Sequence, residues 1–162
     1  MKQLTLTSIN KAHSKEFNSQ KKVVLKTGDY IMVQEKFKTT SIQKLLLDYQ
    51  DILEQLSQKE VSMEVIKDMT FVYYMLLLRH FTNLNNIPNE IDKMVIVCEK
   101  LIDLNLLEEI LSAFDKEELR KVDEMIKQVS ENSKFLGEQI GDIFAKAALN
   151  EVVEGEKDAD IQ

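Results

Sequence analysis

The sequence is poor in the residues that build metal sites, disulfides and phosphate-binding loops. It has one Cys, two His, four Gly, one Pro and no Trp among 162 residues. One Cys forms no internal disulfide, and with two His it leaves no conventional Cys/His zinc site. Four Gly leave little room for a Gly-rich phosphate loop, and one Pro is too few for a loop-rich β sandwich. These absences favour a helical protein that binds no cofactor and no metal ion.

The common catalytic motifs are absent as well. No HExxH, GxSxG, Walker or GxGxxG pattern occurs. His13 and His80 fall in different predicted elements, and Cys98 lies on an apolar helix face, which predicts a buried thiol. The paired acidic residues are predicted to be solvated faces or favourable charges at helix N-termini; they are Glu108, Glu109, Glu117 and Glu118. We therefore expect no catalytic residues and no enzymatic activity.

Long hydrophobic runs are also missing. The longest, residues 71–78, is closed by Arg79 and His80, and it is far shorter than the roughly 20 residues that span a bilayer. The first eight residues are too polar for the core of a secretory signal. We expect a cytoplasmic protein, in the host cytoplasm if a phage encodes it, with no membrane contact.

Charge is distributed unevenly along the chain. Residues 1–44 hold nine Lys and three acidic residues, so their net charge is +6. The remaining residues have a net charge of −13, which gives −7 for the chain. The basic part contains no Arg, which supplies most bidentate contacts to bases and phosphates. A solvated Lys-rich surface is therefore preferred to nucleic-acid binding. Residues 151–162 sum to −4 and show no core pattern, which predicts a disordered acidic tail.

Hydrophobic periodicity predicts a mostly α fold. A helix with a thin apolar face is expected over residues 8–19, followed by a β-hairpin over 22–35 that turns at Gly28. Because an isolated hairpin is marginal in water, it must pack on helices or pair its edges. Thr40 and Gln43 form a pattern typical of a capping box, which opens a helix over 41–57.

Four further helices are predicted. Helix 62–82, capped by Ser62, is apolar on all sides in its middle, so it is central to the core or covered by a partner. Asn89 is expected to cap helix 89–103, a short helix begins at Leu106, and Asp115 opens helix 116–150, whose seam keeps heptad spacing. The predicted architecture is a single domain, 1–150: a helical bundle of about five to six helices with one N-terminal hairpin and a long C-terminal helix.

Several features are typical of surfaces that hold other proteins. The apolar helix contains Tyr73, Tyr74 and Met75, and Met is common on adaptable binding surfaces. Gly137 and Gly141 leave one face of the last helix without side chains, so another helix can approach it closely. Tyr73, Tyr74 and Met75 are more commonly explained as ordinary core residues. The two glycines have the alternative explanation that the helix merely tolerates them.

The segment after the hairpin resembles a known family. Over residues 22–56, two short apolar strands precede the pattern Phe37-Lys38-x-Thr40-x-Ile42-x-x-Leu45 and an amphipathic helix. This arrangement resembles the tail assembly chaperones of long-tailed phages and prophages of Gram-positive bacteria. The resemblance implies a non-enzymatic chaperone that binds and shields the tape measure protein until tail tube subunits displace it.

The resulting partner hypothesis includes a homo-oligomer and three candidate surfaces. These are the hairpin with Phe37, the helix 63–78 and the seam over 119–147. The candidate contacts are Phe37, Ile42, Leu45, Tyr73, Tyr74, Met75, Gly137 and Gly141. Two alternatives stay open. The acidic body fits a small regulatory adaptor or a DNA-mimicking inhibitor, and the heptad seam fits a plain structural oligomer.

Overall fold

The computed structural model describes residues 1–57 and 63–132, with side chains described for 1–56 and 70–128. Within these residues, the elements in chain order are α1 (Leu6–Phe17), β1 (Gln20–Val24), β2 (Tyr30–Gln34), α2 (Thr39–Ser57), α3 (Met63–Phe81), α4 (Ile91–Asp103), α5 (Leu107–Leu111) and α6 (Lys116–Asn132). The predicted mostly α class with an N-terminal hairpin is confirmed. Ser62, Gly137, Gly141, the rest of helix 116–150 and the tail 151–162 lie outside the described residues.

The core lies where α3 meets its neighbours. Helix α2 packs against α3 and α6, α3 against α4, and α4 against α5. The middle of α3 is buried on several sides, with Val72 and all four residues from Met75 to Leu78 inside the core. The sequence left open whether this apolar helix is central to the core or covered by a partner. The structure shows that it is central to the core. Cys98 of α4 is buried as predicted.

Helix starts depart from the predicted caps in two places. Helix α2 begins at Thr39, and the carbonyl of Lys38 accepts the N–H of Ile42 at 3.0 Å, so Thr40 lies inside the helix and is not its cap. Helix α4 starts after Glu90, not after the predicted cap Asn89; the Glu90 side chain makes no capping hydrogen bond, and Gln55 Oε1 accepts the N–H of Ile91 at 3.4 Å. The Asn89 carbonyl instead accepts from Gln55 Nε2 at 3.3 Å, which ties the loop to α2.

The opening of α6 follows the prediction in part. Asp115 Oδ1 accepts the N–H of Glu117 at 2.8 Å, satisfying one of the N–H groups that a helix start leaves unpaired. Of the heptad seam predicted for this helix, Val122 is buried and Leu119 and Ile126 pack against the core. The remaining seam positions are outside the residues whose side chains are described.

The hairpin is antiparallel, with Lys22 opposite Met32 at its centre. The carbonyl of Leu25 accepts the N–H of Gly28 at 2.9 Å, and Gly28 has a φ of 91°, as a three-residue hairpin loop requires of its last residue. Ile31 and Val33 of β2 are buried, so the hairpin packs one face on the helices.

Candidate protein-binding surface

Helix α1 stands apart from the core. None of its residues is buried, and one side of the helix carries the apolar Leu6, Ile9 and Phe17 together with His13 at helical spacing. Leu6 is 80% exposed and Ile9 is 44% exposed. His13 and Phe17 continue the same stripe, with ring centroids 5.1 Å apart. We call these four residues the α1 stripe; it runs along one side of a helix about 18 Å long.

Local contacts start this helix without tertiary support. Thr5 Oγ1 accepts the N–H of Ser8 at 3.1 Å, while Ser8 Oγ accepts the N–H of Thr5 at 2.9 Å. This reciprocal pair is a capping box in which Ser takes the place of the usual Glu or Gln. An isolated helix of this length is marginal in water, so most of its stability has to come from packing of its apolar face. In α1, Leu6 and Ile9 of this face are exposed.

The C-terminal end of α1 is fixed to the hairpin. The carbonyl of Phe17 accepts from Gln34 Nε2, and the carbonyl of Ser19 accepts the N–H of Glu35 at 3.1 Å. At the far end of the hairpin, the N–H of Lys26 donates to Glu109 Oε1 of α5 at 3.1 Å. These bonds fix the C-terminal end of α1, where Phe17 is half-buried, and leave Leu6 and Ile9 exposed.

The two edges of the hairpin differ. The outer edge of β2 is covered, because Met32 donates its N–H to Asn83 Oδ1 at 3.0 Å and accepts the N–H of Asn83 at 3.2 Å. Val33 also forms a bridge with Thr82. Strand β1 pairs only with β2 in the described part of the chain, so its other edge is open.

Four predicted contact residues lie in the core. Phe37, Ile42, Leu45 and Met75 are each at most 1% exposed. The Phe37 ring stacks on Phe81 with centroids 3.8 Å apart and meets the edge of Phe114 at 5.7 Å. The sequence predicts a binding surface from their apolar character, but the protein's own helices cover them. They support the fold that carries α1 and do not form a surface for a partner.

The two predicted tyrosines are half-buried and lie next to each other on α3, with ring centroids 6.0 Å apart. The Tyr73 hydroxyl donates to Asp123 Oδ1 of α6 at 2.9 Å. Burial and this hydrogen bond to a carboxylate raise the pKa of Tyr73 well above its ordinary value. Tyr73 therefore ties α3 to α6.

Glu118 lies in the core, contrary to the prediction from the sequence. It was predicted on a solvated face or as a helix-terminal charge, yet its side chain is 1% exposed. Glu118 Oε2 accepts the N–H of Phe37 at 2.9 Å, both carboxylate oxygens accept from Lys121 Nζ at 2.9 Å, and Lys36 Nζ is 3.5 Å away. Burial alone would raise the pKa of Glu118, but these hydrogen bonds and the two lysines lower it.

A groove of about 350 Å³ runs beside the C-terminal half of α2. Asp48, Asp51 and Glu54 line it together with Gln55 and Asn89. Asp48 also contacts His80, with Oδ2 2.7 Å from Nε2. The groove places three carboxylates on one side of the bundle, and Arg79 Nη1 lies 3.9 Å from Asp48 Oδ2.

Two properties of the described residues bear on other functions. No helix among them combines the length and hydrophobicity needed to cross a bilayer. They also contain no cluster of three or more His, Cys, Asp or Glu side chains that could bind a metal ion.

The geometry defines a helical protein that carries an N-terminal hairpin and an exposed amphipathic helix. A family model named YomO matches residues 6–160, and the chain belongs to this family, whose name associates it with phages and prophages. Neither a curated protein nor a solved structure matches the chain.

Proposed function

We propose that this chain is a non-enzymatic phage tail assembly chaperone that binds and shields the tape measure protein during tail morphogenesis. The observation that carries the proposal is the α1 stripe, in which no residue is buried and Leu6 and Ile9 are exposed. Membership of a prophage-associated family and the resemblance of residues 22–56 to tail assembly chaperones support it.

The proposed mechanism is reversible contact between two helices. The α1 stripe packs against an apolar face of a helical segment of the tape measure protein, as amphipathic helices do when they bind in grooves. Lys11 and Lys15 lie on the opposite side of α1 and keep it soluble. The stripe is short, so the contact is weak enough for arriving tail tube subunits to displace the chaperone.

The experiment is co-expression with a tape measure protein. We expect the wild-type chain to raise the soluble yield of that protein and the variant Leu6→Gln/Ile9→Gln to lose this effect. Gln is a good helix former, so the variant removes the apolar face while preserving helix propensity. The matched control, Leu47→Gln/Ile96→Gln, changes two exposed apolar residues on α2 and α4 and should behave as wild type.

Two results would contradict the proposal. One is a tape measure protein that aggregates equally with and without the wild-type chain. The other is equal activity of the α1 variant and the control variant, which would place the binding surface elsewhere. Circular dichroism of both variants checks that the bundle is intact.

The acidic groove favours a second candidate, a small regulatory adaptor or DNA-mimicking inhibitor that binds a basic partner. Asp48, Asp51 and Glu54 lie at three-residue intervals along α2. A salt titration of the complex separates the two candidates. A charge mimic loses its partner steeply between about 50 and 200 mM salt, whereas apolar shielding changes little.

A further inference from the structure

The pairing register shows which backbone groups of β1 lack a partner in the hairpin. The N–H of Leu25 donates to Asp29 at 2.8 Å, and the N–H of Glu35 donates to Ser19 at 3.1 Å. Hydrogen-bonded pairs in an antiparallel ladder recur every second residue, so Lys21 and Val23 also face β2. The N–H and C=O groups of the alternate residues therefore point to the open side; these residues are Gln20, Lys22 and Val24.

The side chains around this open edge are cationic and apolar. Lys21 and Lys22 are exposed, and Lys22 Nζ lies 4.3 Å from the centre of the Tyr30 ring. Val24 is 65% exposed and pairs with Tyr30, which is 56% exposed. Lysines on an edge strand disfavour pairing with another copy of the same strand. They favour an added strand that carries carboxylates.

The chain itself contains a segment of matching chemistry outside the described residues. Residues 151–162 hold five carboxylates and one Lys, and the β-branched pair Val152-Val153 lies between Glu151 and Glu154. Residues 133–150 would span about 27 Å as a helix and about 60 Å fully extended. Both lengths exceed the radius of gyration of about 15 Å that is expected for a domain of this size.

We propose that the open edge of β1 binds the acidic segment 151–162 of the same chain as a third strand. The backbone groups of Gln20, Lys22 and Val24 pair with the stretch around Val152-Val153. The flanking carboxylates of that stretch neutralise Lys21 and Lys22. This is strand addition to a free sheet edge, with side-chain charge selecting the added strand. The inference is independent of the proposed role in tail assembly.

The test is amide hydrogen exchange of the full chain, read residue by residue. We expect the amides of Gln20, Lys22 and Val24, which have no partner within the hairpin, to exchange at least about tenfold more slowly than unstructured amides. Val152→Pro/Val153→Pro should abolish this protection, because proline cannot donate to a ladder. The control, Ala159→Pro/Ile161→Pro, adds two prolines outside the valine pair and should retain it.

A charge exchange makes the test specific. Lys21→Glu/Lys22→Glu should weaken the protection, and adding Glu151→Lys/Glu154→Lys in the same chain should restore it. The amide of Val33, which faces β1, reports whether the hairpin stays folded in each variant. Unprotected Gln20, Lys22 and Val24 amides in wild type would overturn the proposal, as would protection that survives Val152→Pro/Val153→Pro. Protection that falls on dilution would assign the segment to a second copy and refute the intramolecular pairing.

Discussion

Replacing Glu118 by Ala is the sharpest test of how the described bundle is held together. The change removes a buried carboxylate that accepts the N–H of Phe37 at 2.9 Å. A hydrogen bond to a charged group contributes about 1.5–3 kcal/mol, and a buried N–H left without a partner costs about 1–3 kcal/mol. Lys121 and Lys36 are about half exposed, so their ion pairs add less than about 1 kcal/mol. We expect a loss of about 3 kcal/mol in the free energy of unfolding.

The assay is urea unfolding followed by circular dichroism, with thermal unfolding as a second measurement. A loss of this size lowers Tm by about 6–12 °C for a chain of this length. The control is Glu117→Ala, one residue earlier in the same helical turn, where both members of the ion pair with Arg120 are exposed. It should change stability by less than about 1 kcal/mol. Equal losses in the two variants would refute the reasoning.

The same carboxylate predicts a pH dependence. The folded state lowers the pKa of Glu118, so this group stabilises the fold above its unfolded pKa of about 4.3 and the contribution is lost as pH falls through the folded value. The stability difference between wild type and Glu118→Gln should therefore be constant near neutral pH and shrink below about pH 5. A difference that grows on acidification would contradict this sign.

Two further changes test the hairpin. Asn83→Ala removes the acceptor of the Met32 N–H. It should lower the free energy of unfolding by about 1 kcal/mol and make the Met32 amide exchange faster. The control, Asn86→Ala, should have little effect. Gly28→Ala should lower the free energy of unfolding by about 1 kcal/mol through backbone strain alone, because φ is 91° and no atom lies within 4 Å of an added Cβ. Gly28→Asn should cost less. Equal unfolding curves for wild type and the two variants would contradict the strain argument.

Local patterns predicted the elements of this fold well. The helical spacing of apolar residues located α2, α3, α4 and the start of α6 to within about two residues, as expected for boundaries read from periodicity. The two β-rich runs around Gly28 predicted the hairpin, although β1 begins at Gln20, two residues before the predicted start. These elements depend on neighbours in the chain, which is the information that spacing contains.

The residues of the candidate surface were harder to predict. Phe37 and Met75 are apolar whether a partner or the protein's own helices cover them, so their pattern does not distinguish interface from core. Glu118 occupies the third helical position that a capping box would use, yet it turns inward because Phe37, 81 residues away in sequence, brings an N–H to it. Spacing along one helix contains no information about such a partner.

The long span of these bonds has a consequence for the order of folding during synthesis. Lys26 bonds to Glu109 across 83 residues, and Phe37 bonds to Glu118 across 81. As the chain leaves the ribosome, the hairpin emerges long before either acidic residue exists. Closing loops of this length is an entropic cost that is met only when the contacts form. The hairpin can therefore bond to Asn83 once α3 is complete, but its bonds to Glu109 and Glu118 form only after α5 and the start of α6 have been translated.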